Sequence, residues 1–109
     1  MSVAYTALAL QTRCFAINKL NIDDARTKML ANIKRIAGQV KGSKGFVGPQ
    51  VKLVVLPEYF MTSFPMGESL SQWKAKGAIA KNGREYDALS KIAQDNDIYL
   101  SGNVYELDD

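Results

Sequence analysis

The sequence predicts an α/β fold in which the elements follow the order strand, helix, strand, helix, strand. Residues 3–10 and 52–56 are runs of small, β-branched and apolar side chains, which are typical of strands inside a parallel sheet. Residues 22–40 and 84–94 repeat apolar side chains every three or four positions, as amphipathic helices do. Strands that alternate with helices form sheets with right-handed crossovers and parallel neighbours.

The first half of the chain contains the first strand, residues 3–10, and a long helix, residues 22–40. Asn21 offers a side-chain cap for this helix, and Asp23 and Asp24 place negative charge in its first turn. The apolar positions that define its expected buried side are Ala25, Met29, Ile33, Ile36 or Ala37, and Val40.

A glycine-rich segment, residues 42–49, is predicted to be a flexible surface loop between this helix and the second strand. Its glycines match no phosphate-binding motif, because a Walker loop or a dinucleotide fingerprint runs from a strand into a helix. The segment after the first strand, residues 11–14, is poor in glycine, which disfavours a flavodoxin-like nucleotide binder.

The second half of the chain begins with the second strand, residues 52–56. A glycine- and serine-rich segment follows and contains a short predicted helix near residues 69–80. The helix at residues 84–94 ends at Asp95-Asn96-Asp97 and leads to the third strand, residues 98–105. Its apolar side consists of Ala88, Leu89, Ile92 and Ala93.

Composition indicates one soluble domain. A chain of 109 residues is long enough for one modest core. Neither a bilayer-spanning stretch nor a signal peptide is evident, so we expect a cytoplasmic protein that does not contact membranes. The single Cys14 excludes an internal disulfide. The absence of histidine excludes histidine-dependent catalysis and histidine metal sites unless a second chain supplies the ring.

Charge is distributed unevenly along the chain. Residues 1–52 contain nine basic and two acidic side chains, whereas residues 53–109 contain five and nine, so the two parts carry +7 and −4. Five of these nine basic side chains fall within the predicted helix or directly after it, most of them on its expected solvated side and with no aromatic residues between them for base stacking: Arg26, Lys28, Lys34, Arg35 and Lys41. We therefore expect a solvated helix side and no nucleic-acid partner.

Glu58 lies just after the second strand, in the stretch LVVLPEYF at residues 53–60. A glutamate that follows a strand-ending proline is commonly a solvated loop residue. In open α/β sheets, however, ligands bind beyond the carboxyl ends of the strands, which is where Glu58 is expected. Both interpretations remain open from the pattern alone.

The chain resembles the amino-terminal part of the nitrilase superfamily, the carbon–nitrogen hydrolases that include nitrilases, aliphatic amidases and carbamoylases. The resemblance covers nearly the whole chain and implies the amino-terminal portion of a nitrilase-like α-β-β-α sandwich. The features that carry it are LVVLPEYF, the strand end Ala9-Leu10-Gln11, the asparagine-rich entry into the long helix, the pair Phe64-Pro65 and the stretch ALSKIAQDNDIYLSGNVYE.

The resemblance implies that Glu58 is the general base of a Glu-Lys-Cys triad that hydrolyses a small amide, nitrile or N-carbamoyl substrate, without a metal or an organic cofactor. A cysteine attacks as its thiolate, and a carboxylate partly shielded from water is able to accept the thiol proton. Tyr59 and Phe64 are candidates for the wall of the substrate pocket. Tyr59 is equally consistent with a core position, and a core position is favoured for Trp73.

The chain also departs from the family pattern. Family members are usually more than twice as long, and their lysine and cysteine follow the third strand, which places both beyond Asp109. Residues 1–109 are therefore expected to be a partial hydrolase domain, inactive alone and with one sheet face uncovered. Cys14 is expected to be a buried or half-buried structural thiol. Three lysines in the expected loop region, Lys74, Lys76 and Lys81, match no catalytic motif.

Two further expectations follow from the resemblance. Family members commonly form oligomers, so a homo-oligomer is expected. The alternative to a hydrolase is a non-catalytic α/β module that keeps the fold for binding or assembly.

Overall fold

The chain forms an α/β domain with three helices and two small parallel sheets, as described for residues 4–108 by a computed structural model. One sheet contains β1 (Thr6–Ala9), β2 (Val51–Val55) and β4 (Tyr99–Ser101), in that order, and β3 (Ala78–Ile79) pairs with β5 (Tyr105–Glu106) in the other. The helices are α1 (Ile22–Val47), α2 (Leu70–Gly77) and α3 (Arg84–Asn96). The predicted α/β class and parallel pairing are confirmed; Val3 of the predicted first strand lies outside the described residues.

The long helix α1 begins where the sequence predicts, with the Asn21 side chain accepting a 2.7 Å hydrogen bond from the Asp24 N–H. Its end differs, because the helix continues through most of the predicted glycine loop and stops at Val47. The side chain of Lys44 in the last turn donates to the carbonyl of Asn96, which ties the turn to the end of α3. Gly48 then leaves the helix with a φ of 126°, so the connection to β2 is a tight turn.

The predicted third strand is divided into β4 and β5, which belong to different sheets. The division occurs at Gly102 and Asn103, which lie between them. Gly102 packs closely on Phe60, because a Cβ at this glycine would lie 3.0 Å from the ring atom Cε1. A larger residue at this position would displace the buried ring, and the chain leaves the first sheet here.

The core lies on one side of the three-stranded sheet. Leu8, Val54 and Leu100 are neighbours across β1, β2 and β4, and all three pack with the buried sides of α1 and α3. The opposite face is largely uncovered among the described residues, where Val55 is 38% and Tyr99 80% exposed. The expectation of an uncovered sheet face is therefore met within residues 4–108.

The shorter helices match the predicted segments closely. A capping box starts α2, in which the Ser69 hydroxyl accepts from the Gln72 N–H and the Gln72 side chain accepts from the Ser69 N–H. Asp97 ends α3 in the left-handed conformation with a φ of 50°. Within residues 4–108, the helices do not reach the combination of length and hydrophobicity that crossing a membrane requires.

Candidate active site

Glu58 lies at the edge of the sheet where the carboxyl ends of β1, β2 and β4 meet, because the three strands are parallel. The Leu56 N–H still bonds to the Ser101 carbonyl at 2.8 Å, and Pro57 then ends the pairing because it has no N–H. Glu58 begins the turn that follows and is exposed. Its position matches the sequence prediction, but residues 4–108 do not supply the partial shielding from water that was expected.

The neighbouring Tyr59 is held in an unusual backbone conformation by both flanking strand ends. Its φ of 58° lies in the left-handed region, which costs a non-glycine residue about 1 kcal/mol or more. After β4, Asn103 Oδ1 accepts a 3.0 Å hydrogen bond from the Tyr59 N–H. After β1, Cys14 Sγ donates to the Tyr59 carbonyl at 3.1 Å, and the Ser63 N–H donates to the same carbonyl at 3.1 Å.

A cavity of about 160 Å³ lies beside Glu58. It is smaller than the roughly 300–1,000 Å³ pockets that bury drug-sized ligands, so the space suits a single small group such as an amide or a nitrile. A second, mainly apolar cavity of about 260 Å³ shares the wall residue Val104. The residues that line the first cavity are Glu58, Tyr59, Met61, Thr62, Asn103, Val104 and Tyr105.

Two aromatic side chains of the cavity wall, Tyr59 and Tyr105, belong to a row of four aromatic side chains. The Tyr59 ring stacks on Tyr105 with centroids 6.1 Å apart and an interplanar angle of 14°. Phe64 lies on Tyr59 at 5.5 Å, and Trp73 meets Tyr105 edge to face at 5.7 Å. Such contacts stabilise beyond the area they bury, so the row holds the Tyr59 and Tyr105 walls in place.

Two tyrosines have raised pKa values, Tyr105 on the wall of the first cavity and Tyr86 on the wall of the second. Burial is the largest cause of the raised pKa of Tyr105, and the Tyr59 hydroxyl and the negative charge of Glu58 act in the same direction. The Tyr86 hydroxyl donates to Glu106 at 2.5 Å, which raises the pKa of Tyr86 to about 12 together with its burial. Both hydroxyls therefore stay protonated near neutral pH, and the proton of the Tyr86 hydroxyl is engaged with Glu106.

The other residues singled out in the sequence fall in different places. Tyr59 is half-buried, lines the cavity and packs in the aromatic row, but it is not part of the core; its place in a substrate pocket stays a prediction. Phe64 is 48% exposed and contacts Tyr59 without lining the cavity. Trp73 belongs to the core, as favoured. Cys14 is exposed, which makes the prediction of a buried or half-buried thiol wrong; its place in the irregular segment between β1 and α1 explains the exposure.

The three lysines without a motif lie away from the cavity walls. Lys74 and Lys76 are on α2, and Lys76 donates to the Asn18 carbonyl at 2.9 Å. Lys81 pairs with Glu106 at 3.8 Å. The positions of Lys76 and Lys81 are thus explained by contacts that hold the fold together.

Asn103 is the site residue that the sequence analysis missed. It was assigned to the interior of a strand, and its hydrogen-bonding partner lies 44 positions earlier in the chain. The available signal was the pair Gly102-Asn103 near the end of a strand, because glycine weakens a strand and asparagine favours turns. Within residues 4–108, histidine, cysteine, aspartate and glutamate side chains form no group of three suited to a metal ion.

Comparisons with known proteins do not extend this picture, because no family model, no curated protein and no solved structure matches the chain. The resemblance to the nitrilase superfamily therefore stays a prediction from the sequence.

Proposed function

We propose that the chain is part of a carbon–nitrogen hydrolase in which Glu58 is the general base. The observation that carries the proposal is the fixed turn after β2. Side chains from the ends of both neighbouring strands hold Tyr59 in a strained conformation, and this places Glu58 at the mouth of a small cavity. Strained backbone that is held by surrounding contacts is concentrated at functional sites.

The proposed substrate is a small amide, nitrile or N-carbamoyl compound. For an amide, Glu58 takes the proton of a cysteine thiol, and the thiolate forms a bond to the carbonyl carbon. A lysine stabilises the resulting oxyanion. The carbon–nitrogen bond then breaks, the leaving ammonia takes the proton from Glu58, and a thioester remains. Glu58 next deprotonates a water molecule, which hydrolyses the thioester and frees the cysteine.

The reactive cysteine and the lysine are proposed to come from sequence beyond Asp109. Cys14 is not assigned as the nucleophile, because its thiol is engaged with the Tyr59 carbonyl and holds the turn in place. Lys74, Lys76 and Lys81 do not line the cavity. Glu58 is exposed, so the proposal also requires a covering segment that shields its carboxylate, from the rest of the chain or from a partner.

A second candidate is a non-catalytic α/β module used for binding or assembly. The uncovered sheet face favours it, since Tyr99 and Val55 offer an apolar surface that a partner would cover. This candidate needs neither a lysine nor a cysteine beside Glu58. A homo-oligomer is compatible with both proposals and stays a prediction.

The experiment that separates the two candidates combines sequence and activity. The open reading frame is read past Asp109 and expressed whole, and ammonia release is measured over a panel of simple amides, nitriles and N-carbamoyl amino acids. The hydrolase proposal expects a lysine and a cysteine in strand-end contexts and ammonia from at least one compound class. A reading frame without this pair, together with no ammonia above the buffer rate, would support the binding module.

A further inference from the structure

Phe15 lies in the segment between β1 and α1, and three cationic side chains surround its ring. The charged groups of Arg13, Lys28 and Arg35 lie 5.1, 4.6 and 4.6 Å from the ring centroid. A ring has two faces, so at least two of these like charges share one face. The ion pairs formed among residues 4–108 include none of the three cations, which leaves their mutual repulsion without a carboxylate to offset it.

The cluster is held in place by the surrounding fold. Asn32 is 1% exposed, and its side-chain amide donates to the carbonyls of Phe15 at 3.2 Å and Met61 at 2.9 Å. Arg35 donates to Thr12 Oγ1 at 2.9 Å and to the Arg13 carbonyl at 2.7 Å. The cations are therefore brought together by a fixed loop, and part of the Arg35 guanidinium remains available as a donor.

We propose that Arg13, Lys28 and Arg35 form a binding site for a phosphate group, either free or on a small molecule. Two arginines and a lysine match the charge of a phosphate dianion better than that of a single carboxylate, and guanidinium groups bind phosphate oxygens through paired hydrogen bonds. A nucleic acid fits less well, because the Phe15 ring is already covered by cations and has no free face for a base. This site is independent of the proposed hydrolase activity.

Solution NMR of the protein tests the site directly. Inorganic phosphate and glycerol phosphate are each titrated at constant ionic strength, with sodium chloride and sodium acetate as matched salts. We expect saturable shifts of the amide signals around residues 12–15, 28 and 35 with either phosphate, and binding of acetate at least about tenfold weaker. A response to free phosphate alone would still support the site and assign it to inorganic phosphate.

Variants then identify the residues responsible. Arg13→Gln alters an exposed side chain and Lys28→Gln a half-buried one, so the spectrum of each variant reports whether its fold is kept. Each is expected to weaken phosphate binding about tenfold or more. Lys34→Gln and Lys41→Gln remove equal charge elsewhere on α1 and are expected to leave the affinity within about twofold. Equal weakening by all four variants, or shifts that chloride reproduces, would overturn the proposal.

Discussion

The Tyr59 N–H donates a 3.0 Å hydrogen bond to Asn103 Oδ1, and this bond joins the turn after β2 to the segment after β4. It fixes Tyr59 at a φ of 58°, a conformation that a tyrosine seldom adopts without support. Since Glu58 is the preceding residue, the direction of its side chain depends on this turn. Asn103 is therefore a positioning residue of the candidate site.

Replacing Asn103 by alanine is expected to destabilise the fold by about 1 kcal/mol, the usual net contribution of one hydrogen bond. The variant loses one hydrogen bond and leaves the Tyr59 N–H without its partner in a strained turn. Asn103→Asp keeps an acceptor oxygen and is expected to lose less. Urea unfolding measures the free energies, with Asn82→Ala in an exposed turn as the control, expected within about 0.5 kcal/mol of the parent. An Asn103→Ala variant as stable as the control would remove Asn103 from this role.

Because α1 continues to Val47, replacement by alanine is expected to affect stability in opposite directions at the helical Gly42 and Gly45 and at Gly48, which follows the helix. Gly42 and Gly45 are helical, and a Cβ at either position would meet open space, so alanine is expected to stabilise by about 0.5 to 1 kcal/mol at each. Gly48→Ala is expected to destabilise, because its φ is 126° and a Cβ would collide with the Gln50 side chain. Thermal unfolding of the three variants distinguishes a helix from the loop that the sequence suggested. Three indistinguishable midpoints would contradict the helix.

The sequence predicted the features that depend on local periodicity, and it missed those that involve residues far apart in the chain. The buried side of α1 was correctly predicted at Ala25, Met29, Ile33, Ile36 and Val40, because periodicity is a local property. The continuation past Gly42 was missed, since it depends on Lys44 reaching the carbonyl of Asn96, 52 positions away. The division of the third strand was also missed; it occurs beside Gly102, whose contact with Phe60 joins residues 42 positions apart.

At the candidate site too, local features were predicted from the sequence, whereas contacts between residues far apart in the chain were not. The place of Glu58 followed from strand order and from the proline that ends β2, which are both readable along the chain. The contacts of Cys14 and Asn103 with Tyr59 were not predicted, because they join residues 45 and 44 positions apart. The exposure of Glu58 was also missed, since shielding depends on which surfaces come together in three dimensions.

The lowered pKa of Glu68 predicts that the free energy of unfolding depends on pH. Hydrogen bonds from the Met66 N–H, from its own N–H and from the Asn18 side chain hold the pKa of Glu68 below its ordinary value. A lowered folded-state pKa adds stability that is present above the unfolded-state pKa and is lost as the pH falls through the folded-state pKa. Unfolding free energies of the parent and Glu68→Gln should therefore differ most near neutral pH and converge in acid. A difference that grows below about pH 4 would contradict this assignment.

Cys14 is expected to be dispensable for chemistry. Cys14→Ser keeps a donor for the Tyr59 carbonyl, so ammonia release by the protein expressed from its whole reading frame should stay within about threefold of the parent. The same variant should no longer take up a thiol reagent at this exposed position, which mass spectrometry of the labelled peptide checks. Loss of nearly all turnover with the fold intact would make Cys14 the nucleophile and overturn its assignment as a support for the turn.

The most direct test of the proposed function is the turnover number of Glu58→Gln in the protein expressed from its whole reading frame. Glutamine keeps the size of the side chain but cannot accept a proton, so ammonia release is expected to fall by about 100-fold or more. Glu68→Gln, at a carboxylate that does not line the cavity, is the matched control and should retain turnover within about threefold. Turnover of Glu58→Gln within a few-fold of the parent would contradict the assignment of Glu58 as the general base.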